Sequence, residues 1–176
     1  QWKWFYSVLE ASTDLDPLFL DPYYIAQAYL TWDANMVQEA NTLLEKGTFY
    51  RSWDWLLPFF AGFNHFFFLQ DNYTAAQHLM ESSRRPNASS IIASLAARLA
   101  YKAHNTENAI FFLEELLKKT EDPKIQAAFE KRLKTLRAIR TIEQAVALYE
   151  ERFGAKPHNL QQLIDKNLLK SIPEDP

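Results

Sequence analysis

The sequence predicts an all-α fold, an α-solenoid of antiparallel helix pairs, and three observations predict it. Apolar residues fall three and four apart nearly everywhere, and no segment alternates well enough for a strand. Caps and breakers cut the chain into helix-sized pieces. Asp21-Pro22 and Asp122-Pro123 each set a capping carboxylate before a proline at the first helical position, while Gly47, Pro86 and Gly154 stand where helices should stop. Short connections make consecutive helices antiparallel neighbours, and the pairs recur about every 34 residues.

Taken in order, a helix over 2–13 ends before Leu15-Asp16-Pro17, one over 22–33 opens at Pro22, and one over 36–46 stops at Gly47. An aromatic helix over 53–69 follows, then helices over 73–84, closed before Pro86, 89–103 and 106–119. The stretch 124–152 holds no breaker and carries Ile125, Phe129, Leu133, Leu136, Ile139, Ile142 and Val146 along one side, so it reads as a long capping helix. Its other side presents Lys131, Lys134, Arg137 and Arg140, either a solvated face or a site for an acidic partner. A short helix over 159–166 completes the chain. The expected organisation is one domain over 1–176: a partial repeat at 1–20, three repeats at 21–122, the capping helix at 123–153 and a tail at 154–176.

Composition narrows the function. With 176 residues, 48% of them hydrophobic, the chain is long enough for one domain with a real core. The net charge of −3 divides into −5 over residues 1–88 and +2 over 89–176, and neither half is basic enough for an electrostatic nucleic-acid binder. The absence of cysteine removes disulfides, thiolate metal sites and cysteine nucleophiles. The start at Gln1, without an initiator methionine or an apolar leader, reads as a processed or truncated piece.

The aromatic residues crowd into one half, 19 of 26 lying in the first 68 residues. The densest run, WDWLLPFFAGFNHFFFLQ from Trp53 to Gln70, is interrupted by Asp54, Pro58, Asn64 and His65, so it is not expected to span a membrane. A helix apolar on all sides is one buried on all sides, and this segment is expected to be core.

Sliding the chain on itself aligns Ala40, Ala76 and Ala109, with Ala28, Asn64 and Ala97 twelve residues upstream as the small residues of close helix approach. The second-helix strings are Ala40-x3-Leu44, Ala76-x3-Met80 and Ala109-x3-Leu113. The first-helix strings, Tyr24-x2-Gln27-Ala28-x2-Thr31, Phe60-x2-Phe63-Asn64-x2-Phe67 and Ala93-x2-Ala96-Ala97-x2-Ala100, are more degenerate. In these strings the chain resembles the tetratricopeptide repeat family. That resemblance implies a non-enzymatic scaffold whose first helices line a concave groove for a peptide or partner helix. Carried onto this sequence, the groove comprises Tyr29, Trp32 and Asp33, with Ile25; His65 and Phe68, with Ala61; and Arg98, Tyr101 and Lys102, with Ser94. Trp32 and Phe68 either anchor a partner or pack against neighbouring repeats. The family's carboxylate clamp for peptide C-termini is not reproduced.

The tail is similar to one in bacterial type II secretion pseudopilins, through Gly154, Pro157, Leu160, Leu163, Pro173, Asp175 and Pro176. That similarity implies a bacterial envelope or periplasmic protein. The alternative is a short helix tucked against the long one. A structural subunit of an envelope complex, packing through the aromatic N-terminal region against a second copy or another protein, is the rival to groove binding.

Catalytic and metal chemistry find no motif. His65, His78, His104 and His158 never stand at the i, i+4 spacing of a helical metal pair. Glu114-Glu115 and Glu150-Glu151 point to different sides of their helices, and three glycines form no phosphate-cradling loop. The expectation is no catalytic residue, no metal, no cofactor, no nucleic-acid partner, and a protein or peptide as the binding partner.

Overall fold

Every element that periodicity singles out is helical. The structure, a computed structural model of the chain, describes residues 1–173, and no strand occurs among them; Asp175 and Pro176 of the tail pattern lie outside the described residues. The described chain forms two compact units meeting in sequence at Ala103 and His104. The first holds α1 (Trp2–Leu15), α2 (Asp21–Ile25) running on into a π-helical turn (Ala26–Leu30), α3 (Val37–Tyr50), α4 (Leu56–Phe67), α5 (Asn72–Ser83) and α6 (Ser90–Lys102). The second holds α7 (Thr106–Lys119), α8 (Pro123–Phe153) and α9 (Leu160–Asp165). The unit boundary falls between α6 and α7, the two helices expected from the sequence to pair as a third repeat.

Caps explain most helix starts. Side chains of Asp71, Ser89, Asn105, Asp122 and Asn159 accept from backbone N–H groups of Thr74, Ile91, Asn108, Lys124 and Gln162 at 2.8–3.4 Å. Asp21 departs from its expected role. The chain enters α2 with Leu20 already helical (φ −75°, ψ −39°), so Asp21 lies inside the first turn, where its charge suits the helix dipole but caps nothing. Helices end in left-handed residues: Gly154 at φ 70° closes α8 as expected, and Asn35, Gln70, Asn87 and His104 follow earlier helices at φ 53–61°. Gly47, expected to end a helix, is instead buried inside α3. A Cβ there would stand 2.9 Å from Leu57 Cδ1 and 3.0 Å from Tyr23 Cδ1, so glycine is required for α2, α3 and α4 to approach one another.

In the first unit, α5 lies between α4 and α6, with which it makes the broadest contacts, while α3 packs on the π-helical turn and on α4, and α1 packs on α2 and α3. Leu9, Tyr23, Ala26, Leu30, Ala40, Leu43, Leu44, Leu57 and Ala61 form one core cluster of this unit. Buried positions recur in register: Ala26, Ala61 and Ala96 stand 35 residues apart, as do Tyr23, Pro58 and Ala93. Buried Ala40, Asn41, Leu44 and Gly47 of α3 recur 35 residues later as Ala75, Ala76, Leu79 and Ser82 of α5. Ala40, Ala76 and Ala109 are all buried, but Ala75 is the burial equivalent of Ala40.

The close-approach residue in the first helices likewise shifts, because Ala28 is exposed. Burial along α2 and its π-helical extension falls at Pro22, Tyr23, Ala26, Gln27, Leu30 and Thr31, and the regular helices bury the same register positions, Pro58, Ala61 and Gly62 in α4 and Ala93, Ala96 and Ala97 in α6. Ala28 misses that stripe because it pairs with Asn64 at a spacing of 36, one residue off the 35-residue register.

The aromatic run is corrected most. It begins to be helical at Leu56, and only Leu57, Pro58, Ala61, Gly62 and Asn64 of α4 are buried. Phe59, Phe60, Phe63, Phe66 and Phe68 are half-buried, and Phe67 is exposed. Small residues are what allow close approach: a Cβ on Gly62 would meet Leu79 Cγ at 2.8 Å and the Ala75 carbonyl at 3.1 Å. Backbones that close leave no room between them for phenyl rings, which are displaced to the flanks. No helix among the described residues is long and apolar enough to cross a membrane.

In the second unit, α7 packs along α8. Arg137 pairs with Glu114 at 2.7 Å and Arg140 with Glu107 at 3.0 Å, so half of the basic row is directed at α7 rather than left to a partner. The tail takes the tucked arrangement: Leu163 of α9 and Leu169 are buried with Ala145 of α8, flanked by Ile142, Val146 and Tyr149.

Candidate functional site

The displaced rings make the most conspicuous surface feature of the first unit. Trp32, just past the π-helical turn, meets Phe68 edge-on at 4.9 Å and lies 5.7 Å and 6.4 Å from Phe67 and Phe63. Phe63 and Phe67 stack at 5.4 Å with their planes 10° apart. They sit four residues apart on one side of α4, which brings their rings together one turn over the next. Each ring supports the others, so Trp32 is held in place although 56% of its surface stays in water.

A second ring group adjoins the same turn. Phe5 of α1 meets Tyr29 edge-on at 6.3 Å and Trp2 at 5.9 Å. Gln1, Trp2, Trp4, Phe5 and Tyr29 line a cleft of about 280 Å³, in which Trp4 is 70% exposed. Both ring groups leave large aromatic surface in contact with water.

Beneath the rings lies a buried polar trio. Gln27 and Asn64 exchange amide hydrogen bonds, Gln27 Nε2 donating to Asn64 Oδ1 at 3.0 Å and Asn64 Nδ2 to Gln27 Oε1 at 2.7 Å. Asn64 Nδ2 also donates to Asn41 Oδ1 at 2.8 Å. The π-helical turn, α3 and α4 are thereby locked at the depth from which Tyr29, Trp32 and Phe68 project. Thr31 adds a hydroxyl bond back to the Gln27 carbonyl.

Of the residues read from the sequence as a groove, the ring cluster brings together Trp32 and Phe68, and Tyr29 joins the neighbouring group on α1. Asp33 is exposed at the end of the helix that carries Trp32. Arg98, Tyr101 and Lys102 are exposed on α6, the helix that packs on α5. His65 turns elsewhere: its ring is mostly buried and stacks on His78 of α5 at 5.3 Å. Burial holds both imidazoles below the ordinary histidine range, against the opposing pull of nearby carboxylates. Phe63 and Phe67, which complete the ring cluster, were assigned to the core by sequence reasoning. The glycine and alanine beside them, Gly62 and Ala61, were the available signal that close helix contact would exclude them. Compared with family models, with curated proteins and with solved structures, the chain matches none.

Proposed function

We propose that the first unit is a non-enzymatic protein-binding module that receives an amphipathic helix or peptide across the face formed by Tyr29, Trp32, Phe63, Phe67 and Phe68. The observation that carries the reading is the interlocked ring cluster around Trp32, half in water yet held by three phenylalanines. Rigid aromatic side chains lose little freedom on binding and supply large contact areas, which is why they dominate binding hot spots. We read the helix pairs of this unit as tetratricopeptide-like repeats in a short α-solenoid; the recurrence of buried Ala26, Ala61 and Ala96 and of buried Ala40 and Ala75 supports it. Arg98 and Lys102, exposed on α6, would favour an acidic end on the ligand.

The test is capture of partners from the cells that make the protein, followed by cross-linking and mass spectrometry. A partner taken by the native chain and lost to Trp32→Ala with Arg98→Glu, with helical content and melting unchanged, is the expected result. Capture that survives both changes rejects the reading.

The cleft at Trp2, Trp4, Phe5 and Tyr29 favours a second reading, in which this region packs against another copy or an assembly partner. Light scattering then shows an oligomer that grows with concentration and is lost with Trp4→Ser. A strict monomer at every concentration counts against it.

A further inference from the structure

Three successive helices of the first unit bring Glu45 of α3, His65 of α4 and His78 of α5 to one point. One nitrogen of each imidazole and one Glu45 carboxylate oxygen all lie within 4.8 Å of one another, and His78 Nε2 stands 3.7 Å from Glu45 Oε1. No spacing rule along one helix detects such a set, because each residue comes from a different helix.

We propose that Glu45, His65 and His78 form a binding site for a divalent transition-metal ion of the zinc type, which clips α3, α4 and α5 together. This inference goes beyond the binding face and does not depend on it. Two imidazole nitrogens and one carboxylate oxygen are a ligand set that suits zinc, leaving a fourth position for water or a partner's side chain. Ligands about 2.0–2.2 Å from a tetrahedral ion lie roughly 3.3–3.6 Å from one another, so the set needs only side-chain rotation to close on an ion. Glu45, its side chain 54% exposed, and the two imidazoles, which turn out of their near-parallel stacking so that both in-plane lone pairs meet at the ion, supply that rotation.

Two further features fit. His65 Nδ1 is buried without a hydrogen-bond partner, and Asp71 Oδ2 lies 3.7 Å from it, just beyond bonding range. A ligating histidine characteristically donates its other ring N–H to a carboxylate, which fixes the tautomer and directs the free lone pair at the ion. Asp71 is itself anchored, its Oδ1 accepting from Thr74 N at 3.0 Å.

The experiment titrates the full chain, stripped with a chelator, with Zn²⁺ against a chromophoric competitor, and repeats it with Co²⁺ to read coordination from its visible absorption. One equivalent of Zn²⁺ is expected, with a rise in melting temperature and an intense tetrahedral Co²⁺ spectrum. Glu45→Gln, His65→Gln and His78→Gln should each weaken binding at least tenfold, and His158→Gln should leave it unchanged. Asp71→Asn keeps the helix cap, since asparagine caps as well as aspartate, yet should weaken binding about 10–100-fold. Glu45 is exposed enough that its variant reports binding even if a histidine variant loses its fold. No binding at 100 µM Zn²⁺, or binding that Glu45→Gln and His78→Gln leave intact, overturns the proposal.

Discussion

Replacing Gly62 by alanine should destabilise the first unit, although alanine is the better helix former. The added Cβ would lie 2.8 Å from Leu79 Cγ, 3.0 Å from Leu79 Cδ2 and 3.1 Å from the Ala75 carbonyl oxygen. Ordinary carbon contacts are about 3.5–4.0 Å, so α4 and α5 would have to separate by roughly 0.7 Å or more. The obstacle is a branch-point carbon and a backbone oxygen of a fully buried segment, so rotating a side-chain tip relieves nothing. Overpacking of this kind costs about 1–3 kcal/mol, and the gain in helix propensity returns about 0.5–1 kcal/mol. A net loss of up to about 2.5 kcal/mol follows, readable as a lower urea midpoint by circular dichroism at constant slope. Leu79→Ala alone should cost about 2–5 kcal/mol through its cavity, but the double variant should cost at least 1 kcal/mol less than the sum, since the new methyl then has space. Gly62→Ala at or above native stability, with strict additivity in the double variant, refutes the close approach of α4 and α5.

Three other outcomes are expected. Asn64→Leu should cost about 2–4 kcal/mol in urea denaturation, because Gln27 and Asn41 lose buried partners; Gln27→Leu added to it should cost less than it does alone. Arg85→Met should cost about 2–4 kcal/mol and loosen the 51–54 turn in hydrogen exchange, since its guanidinium donates to the carbonyls of Thr48, Arg51 and Asp54 at 2.8–3.0 Å and pairs with Glu81. In the presence of a chelator, stability should fall as pH drops through the ordinary histidine range. His65 and His78 are depressed by burial in the folded chain, so the unfolded chain takes up protons first and the slope of stability with pH is positive. His78→Gln should flatten that slope in denaturant midpoints taken from pH 5 to 8.

Helix existence and type were legible from periodicity, and the start of α8 at Asp122-Pro123 and its end at Gly154 were legible from single residues. A recurrence of about 34 residues was expected, and buried positions of the first unit recur every 35, in a register the sequence did not reveal. Pairing Ala28 with Asn64 takes a spacing of 36, whereas burial recurs every 35 residues and so falls on Ala26 and Gln27, Ala61 and Gly62, Ala96 and Ala97. Gly47 misled for a related reason: glycine that ends a helix and glycine that admits a neighbour look alike until the neighbour, here Tyr23 and Leu57, is known. Apolar content alone assigned the phenylalanines of α4 to the interior, whereas the small residues beside them decide who may enter it. Trp32 and Phe68 were named from the sequence and do meet, but their partners Phe63 and Phe67 were not named with them. The Glu45, His65 and His78 set was invisible because it is assembled by tertiary folding from three helices.

The π-helical turn also makes the first unit adjustable in a way a regular helix is not. Excising one residue, Ala28, would let the segment rewind at 3.6 residues per turn with its two anchored ends unmoved, since Tyr23 and Leu30 stay buried on either side. A single codon could thus remove the wide turn and shift Tyr29 within it, while Trp32, beyond the anchored Leu30, keeps its place and the interior its shape.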